Sequence, residues 1–104
     1  MTGTRRPAPS PDGRRFTAAW ADLAGVGRDH RRGGYSRHGF DDADLQLRAW
    51  FTEQAERRGL DVETDRNGNL WAWWGTPGPG AVVTGSHLDS VPGGGAFDGP
   101  LGVL

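Results

Sequence analysis

Apolar residues recur along this chain in three rhythms, and each predicts an element. Phe16, Ala19, Trp20 and Leu23 fall at helical spacing and form one stripe. Ser10 stands before them as an N-cap, with Pro11 at the first helical position. Gly25 should end that helix near Ala24. A second helical stripe, Leu47, Trp50, Phe51 and Ala55, predicts a helix capped by Asp41 or Asp42 and running to about Arg58. Acids gather at its start and Arg57-Arg58 at its end, as the helix dipole favours. Gly59 suits the position just past the end, with Leu60 packing back. The rhythm then changes to alternation. Val62 to Thr64 and Leu70 to Trp74 read as strands joined through Asn67-Gly68, a hairpin signal. Leu70, Ala72 and Trp74 should face one way, Trp71 and Trp73 the other. After the tight loop Thr76 to Gly80, the continuous run Ala81-Val82-Val83-Thr84 reads as a buried central strand. Pro100 to Leu104 reads as the first turn of a helix that nothing closes.

The order helix, helix, strand, strand, strand, nascent helix predicts an α/β fold, the opening part of a three-layer α/β/α sandwich. Residues 1–9, rich in Pro, Thr and Arg, are expected to be disordered. Residues 10–104 are expected to be the first part of one domain of a longer protein.

Length and composition narrow the function. One hundred and four residues suit one small domain with a modest core. The net charge of −1 implies no bulk electrostatic partner. Every basic residue is arginine, and the N-terminal part is basic while the remainder is acidic. The arginines are scattered among acids and turn residues, so neither nucleic acid nor membrane is expected as partner. The contrasting class is a non-catalytic module that would bind nucleic acid through the Arg-rich start or the tryptophan hairpin, marked by salt-dependent binding to single strands. The chain has no cysteine, which excludes disulfides and thiolate ligands. Any metal must be held by His, Asp, Glu or water, which suits zinc or manganese. No apolar run could span a membrane, and none follows Arg5-Arg6 as an export signal would require, so a cytoplasmic address is expected.

The candidate chemistry lies in G-S-H-L-D-S-V-P-G-G-G-A-F-D-G-P-L-G-V-L, residues 85–104. His87 would stand at the tip of the third strand, where open α/β sheets place their sites. Asp89 follows two residues on, and Asp98 after a glycine-rich loop. A metal-ligating imidazole works best when a carboxylate holds its second ring nitrogen, which Asp89 could do. His87 and Asp98 are therefore read as two metal ligands, with Asp89 supporting His87. Phosphate cradling fits less well. G-x-x-x-x-G-K-[ST] is absent, and G-x-G-x-x-G counted from Gly93 meets Asp98 where its last glycine belongs. His30 and His38 read as solvated loop histidines.

S-H-L-D-S-V-P-x-G-G-x-x-D-G-x-L-G-V resembles the metal-dependent amidohydrolases of the aminoacylase and carboxypeptidase superfamily, in the branch of allantoate amidohydrolases and N-carbamoyl-L-amino-acid hydrolases. The segment G-L-D-V-E-T-D-R-N-G-N-L-W-A-W-W-G is similar to the helix end, hairpin and return strand of allantoate amidohydrolase-like sequences. A peptidase of the same superfamily would share H-x-D and D-G but is disfavoured by that segment. The resemblance implies that His87 binds one of two divalent ions (zinc or manganese), that Asp98 bridges both, and that Asp89 clamps the His87 ring as a catalytic residue. It implies a cis peptide at Asp98-Gly99. The implied reaction is hydrolysis of a linear amide C–N bond in a small ureido or carbamoyl substrate, of allantoate type and releasing ammonia, with N-carbamoyl-L-amino acids as the alternative. It further implies a glutamate base, further ligands and a dimerising lid domain beyond Leu104, hence a homodimer at full length and no turnover by these residues alone. Gly33 to Arg37, G-G-Y-S-R, matches a recurrent segment loosely and takes no role from it.

Overall fold

The computed structural model describes residues 7–104. Its elements are α1 (Pro11–Leu23), α2 (Asp42–Arg57), β1 (Asp61–Thr64), β2 (Leu70–Trp73) and α3 (Pro100–Val103). The expected disorder of residues 1–9 falls mostly on residues 1–6, outside the described part; residues 7–9 are exposed and irregular.

Local chemistry sets both long helices. The Ser10 hydroxyl accepts from the Gly13 N–H of α1 at 3.0 Å, and Pro11 follows in the first turn. Asp41 caps α2 by accepting from the Asp44 N–H at 2.8 Å. Such caps contribute about 1 kcal/mol each. At the far end of α2, the Gly59 N–H donates to the Glu56 carbonyl and the Leu60 N–H to the Ala55 carbonyl, at 3.0 Å each. That pair of bonds is the Schellman arrangement, and it folds Leu60 back onto the helix.

β1 and β2 pair antiparallel in the register Asp61–Trp73 to Thr64–Leu70. The five-residue loop between them is organised by Asp65. Its carboxylate accepts from the backbone N–H groups of Asn67 and Asn69, the Asn69 amide and the Trp71 indole, all at 2.9–3.0 Å. These bonds, led by the Trp71 indole, lower the Asp65 pKa to about 2. Trp71 and Trp73 share a face as the alternation requires, and their rings stack with centroids 5.5 Å apart. The hairpin packs on α2, and Leu47, wholly buried, together with Ala55 lies on the buried side of that helix.

Two expectations are corrected. Ala81 to Thr84 forms no strand; it runs irregular and exposed, Val82 at 96%. The only sheet among the described residues is β1–β2, and an apolar run becomes a strand only where neighbouring strands complete its ladder. The Asp98-Gly99 peptide is not cis, as no described peptide is. Gly99 turns the chain instead through a left-handed φ of 87°. The observed architecture is thus a small α/β unit of two long helices, one hairpin and a short third helix. Its radius of gyration is 16.5 Å, against about 13 Å for a compact 100-residue domain; the exposed C-terminal third shows the same openness. Among the described residues no helix is long and apolar enough to cross a membrane.

Candidate metal centre

His87, Asp89 and Asp98 come together although no strand carries them. The His87 Nδ1 lies 3.2 Å from Asp89 Oδ1 and 3.0 Å from the Asp89 carbonyl oxygen. Its Nε2 lies 3.6 Å from Asp98 Oδ2. Both neighbours of Nδ1 are acceptors, so a neutral ring satisfies them only by carrying its proton on Nδ1. The Nε2 lone pair then faces the Asp98 carboxylate. In that tautomer a cation between the two electron-rich atoms would satisfy both. Donors about 2.0–2.2 Å from one zinc-type ion lie no more than roughly 4.4 Å apart, and 3.6 Å falls within that span. The nitrogen–carboxylate pair therefore fits a zinc- or manganese-type ion as part of its ligand set. Among the described residues no group of three or more such side chains converges, so these two donors are not a full set. All three side chains are half-exposed or more. His30 and His38 are exposed too, and neither pairs with an acid among the recorded ion pairs.

The turn carrying Asp98 is held directly against His87. The Ser86 hydroxyl donates to the Gly99 carbonyl at 2.8 Å. A Cβ on Gly99 would lie 2.5 Å from the His87 carbonyl and 2.7 Å from its ring, so only glycine admits the approach. Phe97, next to Asp98, stacks on Trp20 of α1 with centroids 5.4 Å apart.

The loop between the two aspartates is clasped by residues 34–37. Tyr35 and Gly94 exchange backbone hydrogen bonds of 2.9 and 2.8 Å. The Ser90 hydroxyl accepts from the Arg37 N–H at 2.9 Å and donates to the Tyr35 carbonyl at 3.1 Å, while the Ser90 N–H donates to the Arg37 carbonyl at 2.8 Å. The Ser36 hydroxyl accepts from the Gly93 N–H at 3.0 Å and donates to Asp29 at 2.6 Å. That bond, with backbone donors from Arg32 and Arg31, lowers the Asp29 pKa. Arg37 is 2% exposed and fixes the clasp to the end of α1, donating to the Leu23 carbonyl at 3.0 Å and the Val26 carbonyl at 2.9 Å. Burial lowers its pKa. The helix end offers partial negative charge in compensation, and the Tyr35 ring lies 4.2 Å under the guanidinium. Sequence reasoning named the three residues that converge here and missed the clasp. Its only trace was the loose G-G-Y-S-R match and the serines flanking H-L-D.

A cleft of about 480 Å³ opens beside His87 and Asp89, between residues 83–89 and the hairpin loop. Arg48, Asn67 and Asn69 line its other side.

No family model matches the chain. It is 40% identical, over 99% of its length, to 24% of a Mycolicibacterium smegmatis protein described as a hydrolase. It is 38% identical, over 88% of its length, to 23% of an N-carbamoyl-L-amino acid amidohydrolase of Geobacillus stearothermophilus. Its fold matches 24% of a crystal structure described as an amidohydrolase/peptidase from Burkholderia cenocepacia, with TM-score 0.77 and 37% identity over 91% of this chain. The chain spans about a quarter of the length of these relatives. By these matches the chain belongs to the amidohydrolase branch of the N-carbamoyl-L-amino-acid amidohydrolases.

Proposed function

We propose that these residues are part of the active site of a metal-dependent amidohydrolase that cleaves a linear C–N bond in a small ureido or carbamoyl compound. Allantoate-type substrates are the first choice and N-carbamoyl-L-amino acids the alternative. The observation that supports this reading most is the Nε2 lone pair of His87 aimed at the Asp98 carboxylate across 3.6 Å. A divalent ion bound there supplies Lewis acidity toward the substrate carbonyl and a water of lowered pKa.

The chain's own residues then have separate tasks. His87 offers Nε2 as a neutral donor. Asp89 accepts a hydrogen bond from Nδ1–H and keeps the ring in that tautomer. Asp98 offers an exposed carboxylate oxygen. The cleft beside His87 and Asp89 lies in the size range of small-molecule sites. Hydrolysis adds water to the ureido carbonyl and breaks its C–NH2 bond, releasing ammonia and leaving a carbamate that loses carbon dioxide to give the amine. The proton of that water needs a base; the resemblance to the amidohydrolase branch implies a glutamate in that role, with further ligands, in the part of the relatives' length that this chain does not span. The elements seen here would open the three-layer domain, and the full-length protein would be a cytoplasmic homodimer with two ions per subunit.

A joined protein tests the reading: this chain in place of the matching quarter of the Geobacillus stearothermophilus relative. It should release ammonia from allantoate or an N-carbamoyl-L-amino acid only with zinc or manganese present. His87→Ala and Asp98→Ala should each abolish release, and the 104 residues alone should show none. A joined protein that folds and binds metal but hydrolyses neither substrate would refute it.

A further inference from the structure

Asp89 can orient His87 only if its own backbone is held, and the local bond to its carbonyl comes from the His87 ring itself. The segment before it, 81–85, is exposed and belongs to no sheet. The next residue, Ser90, carries three hydrogen bonds to Tyr35 and Arg37 across more than fifty positions of chain. Arg37 in turn is buried and bound to the carbonyls at the end of α1. A continuous set of polar bonds thus runs from α1 through Arg37 and Ser90 to Asp89, and ends 3.2 Å from His87 Nδ1. A serine at this position uses its hydroxyl as donor and acceptor at once, to two main-chain groups of one segment.

We propose that Ser90 is a positioning residue, acting through Asp89 to hold the His87 ring in the tautomer that leaves Nε2 free. Its part in metal binding rests on the function proposed above; its effect on the ring does not. Ser36 is the second brace of the same loop, through the Gly93 N–H. Gly34 is the close contact that lets the two segments meet, since a Cβ there would lie 2.4 Å from the Gly94 carbonyl.

The experiment reads the side-chain nitrogens of His87 by ¹⁵N NMR in the metal-free 104-residue chain, at a pH where the ring is neutral. The native chain should show a protonated Nδ1 and a bare Nε2. Ser90→Ala, with its helices intact by circular dichroism, should shift the ring toward the Nε2-protonated form, and Ser90→Thr should behave as the native chain. An unshifted ring in a folded Ser90→Ala chain would overturn the proposal, whatever its loss of thermal stability. Should Ser90→Ala not fold, Ser36→Ala decides: a smaller shift in the same direction supports the proposal, and none overturns it. Zinc titration gives a second readout. Zinc should bind folded Ser90→Ala about 10–100-fold more weakly than the native chain, the loss usual for partners that orient a metal ligand. If the native chain binds no zinc at all, the metal reading fails while the tautomer result still decides the role of Ser90.

Discussion

Residues 10–73 and residues 81–104 of this chain solve the same problem in opposite ways. The helices and hairpin of the first region satisfy their backbone locally: side chains cap both helices, a Schellman turn closes α2, and Asp65 organises the hairpin loop. The second region has four residues of helix and no strand. It is held where it is by the long-range bonds of Ser90, Gly93 and Gly94 to residues 35–37, by the Ser86–Gly99 bond within it, and by one aromatic stack. All three candidate site residues lie in this second region. A site on irregular backbone gains close approach and exposed donors, and it depends on its braces for precision.

Breaking the core of the first region should have the largest effect. Leu47→Ala empties a wholly buried position and should cost about 2–5 kcal/mol in urea unfolding, a large share of a small domain's stability. Gly34→Ala strikes the contact between the two regions. At a φ of 65°, with the Gly94 carbonyl in the way, it should cost about 1–3 kcal/mol and loosen the loop, leaving the far-ultraviolet helical signal unchanged.

The hairpin loop should respond to acid. Asp65 has a folded pKa of about 2 against an ordinary 3.8. Its contribution is therefore complete above about pH 4 and is lost as the pH falls toward 2. Thermal midpoints at pH 5 and pH 2.5 should differ more for the native chain than for Asp65→Asn. The smallest effect is expected at Val82, which is as apolar as any core residue yet 96% exposed. Val82→Thr should change stability by no more than about 0.5 kcal/mol. A loss as large as that of Leu47→Ala would mean that residues 81–84 pair after all, and the contrast between the regions would fall.

The same contrast explains what could be read from the sequence. Caps, the Gly59 stop, the hairpin signal and the shared face of Trp71 and Trp73 are consequences of neighbours within a few positions, and each appeared where expected. The H-x-D spacing likewise brought Asp89 to His87. Ala81 to Thr84 has the composition of a central strand, but a strand needs partners, and composition does not supply them. The Asp98-Gly99 turn was expected through a cis bond and is made by the left-handed Gly99. The Arg37–Ser90 clasp joins positions 53 apart, a separation for which no periodicity exists.

The decisive measurement follows the His87 nitrogens by ¹⁵N NMR while zinc is added to the native chain and to Asp98→Asn. Coordination should appear at Nε2 with Nδ1 still protonated, and Asp98→Asn should weaken it strongly. Zinc arriving at Nδ1, or binding equally well without the Asp98 carboxylate, would show that the imidazole and that carboxylate do not share an ion.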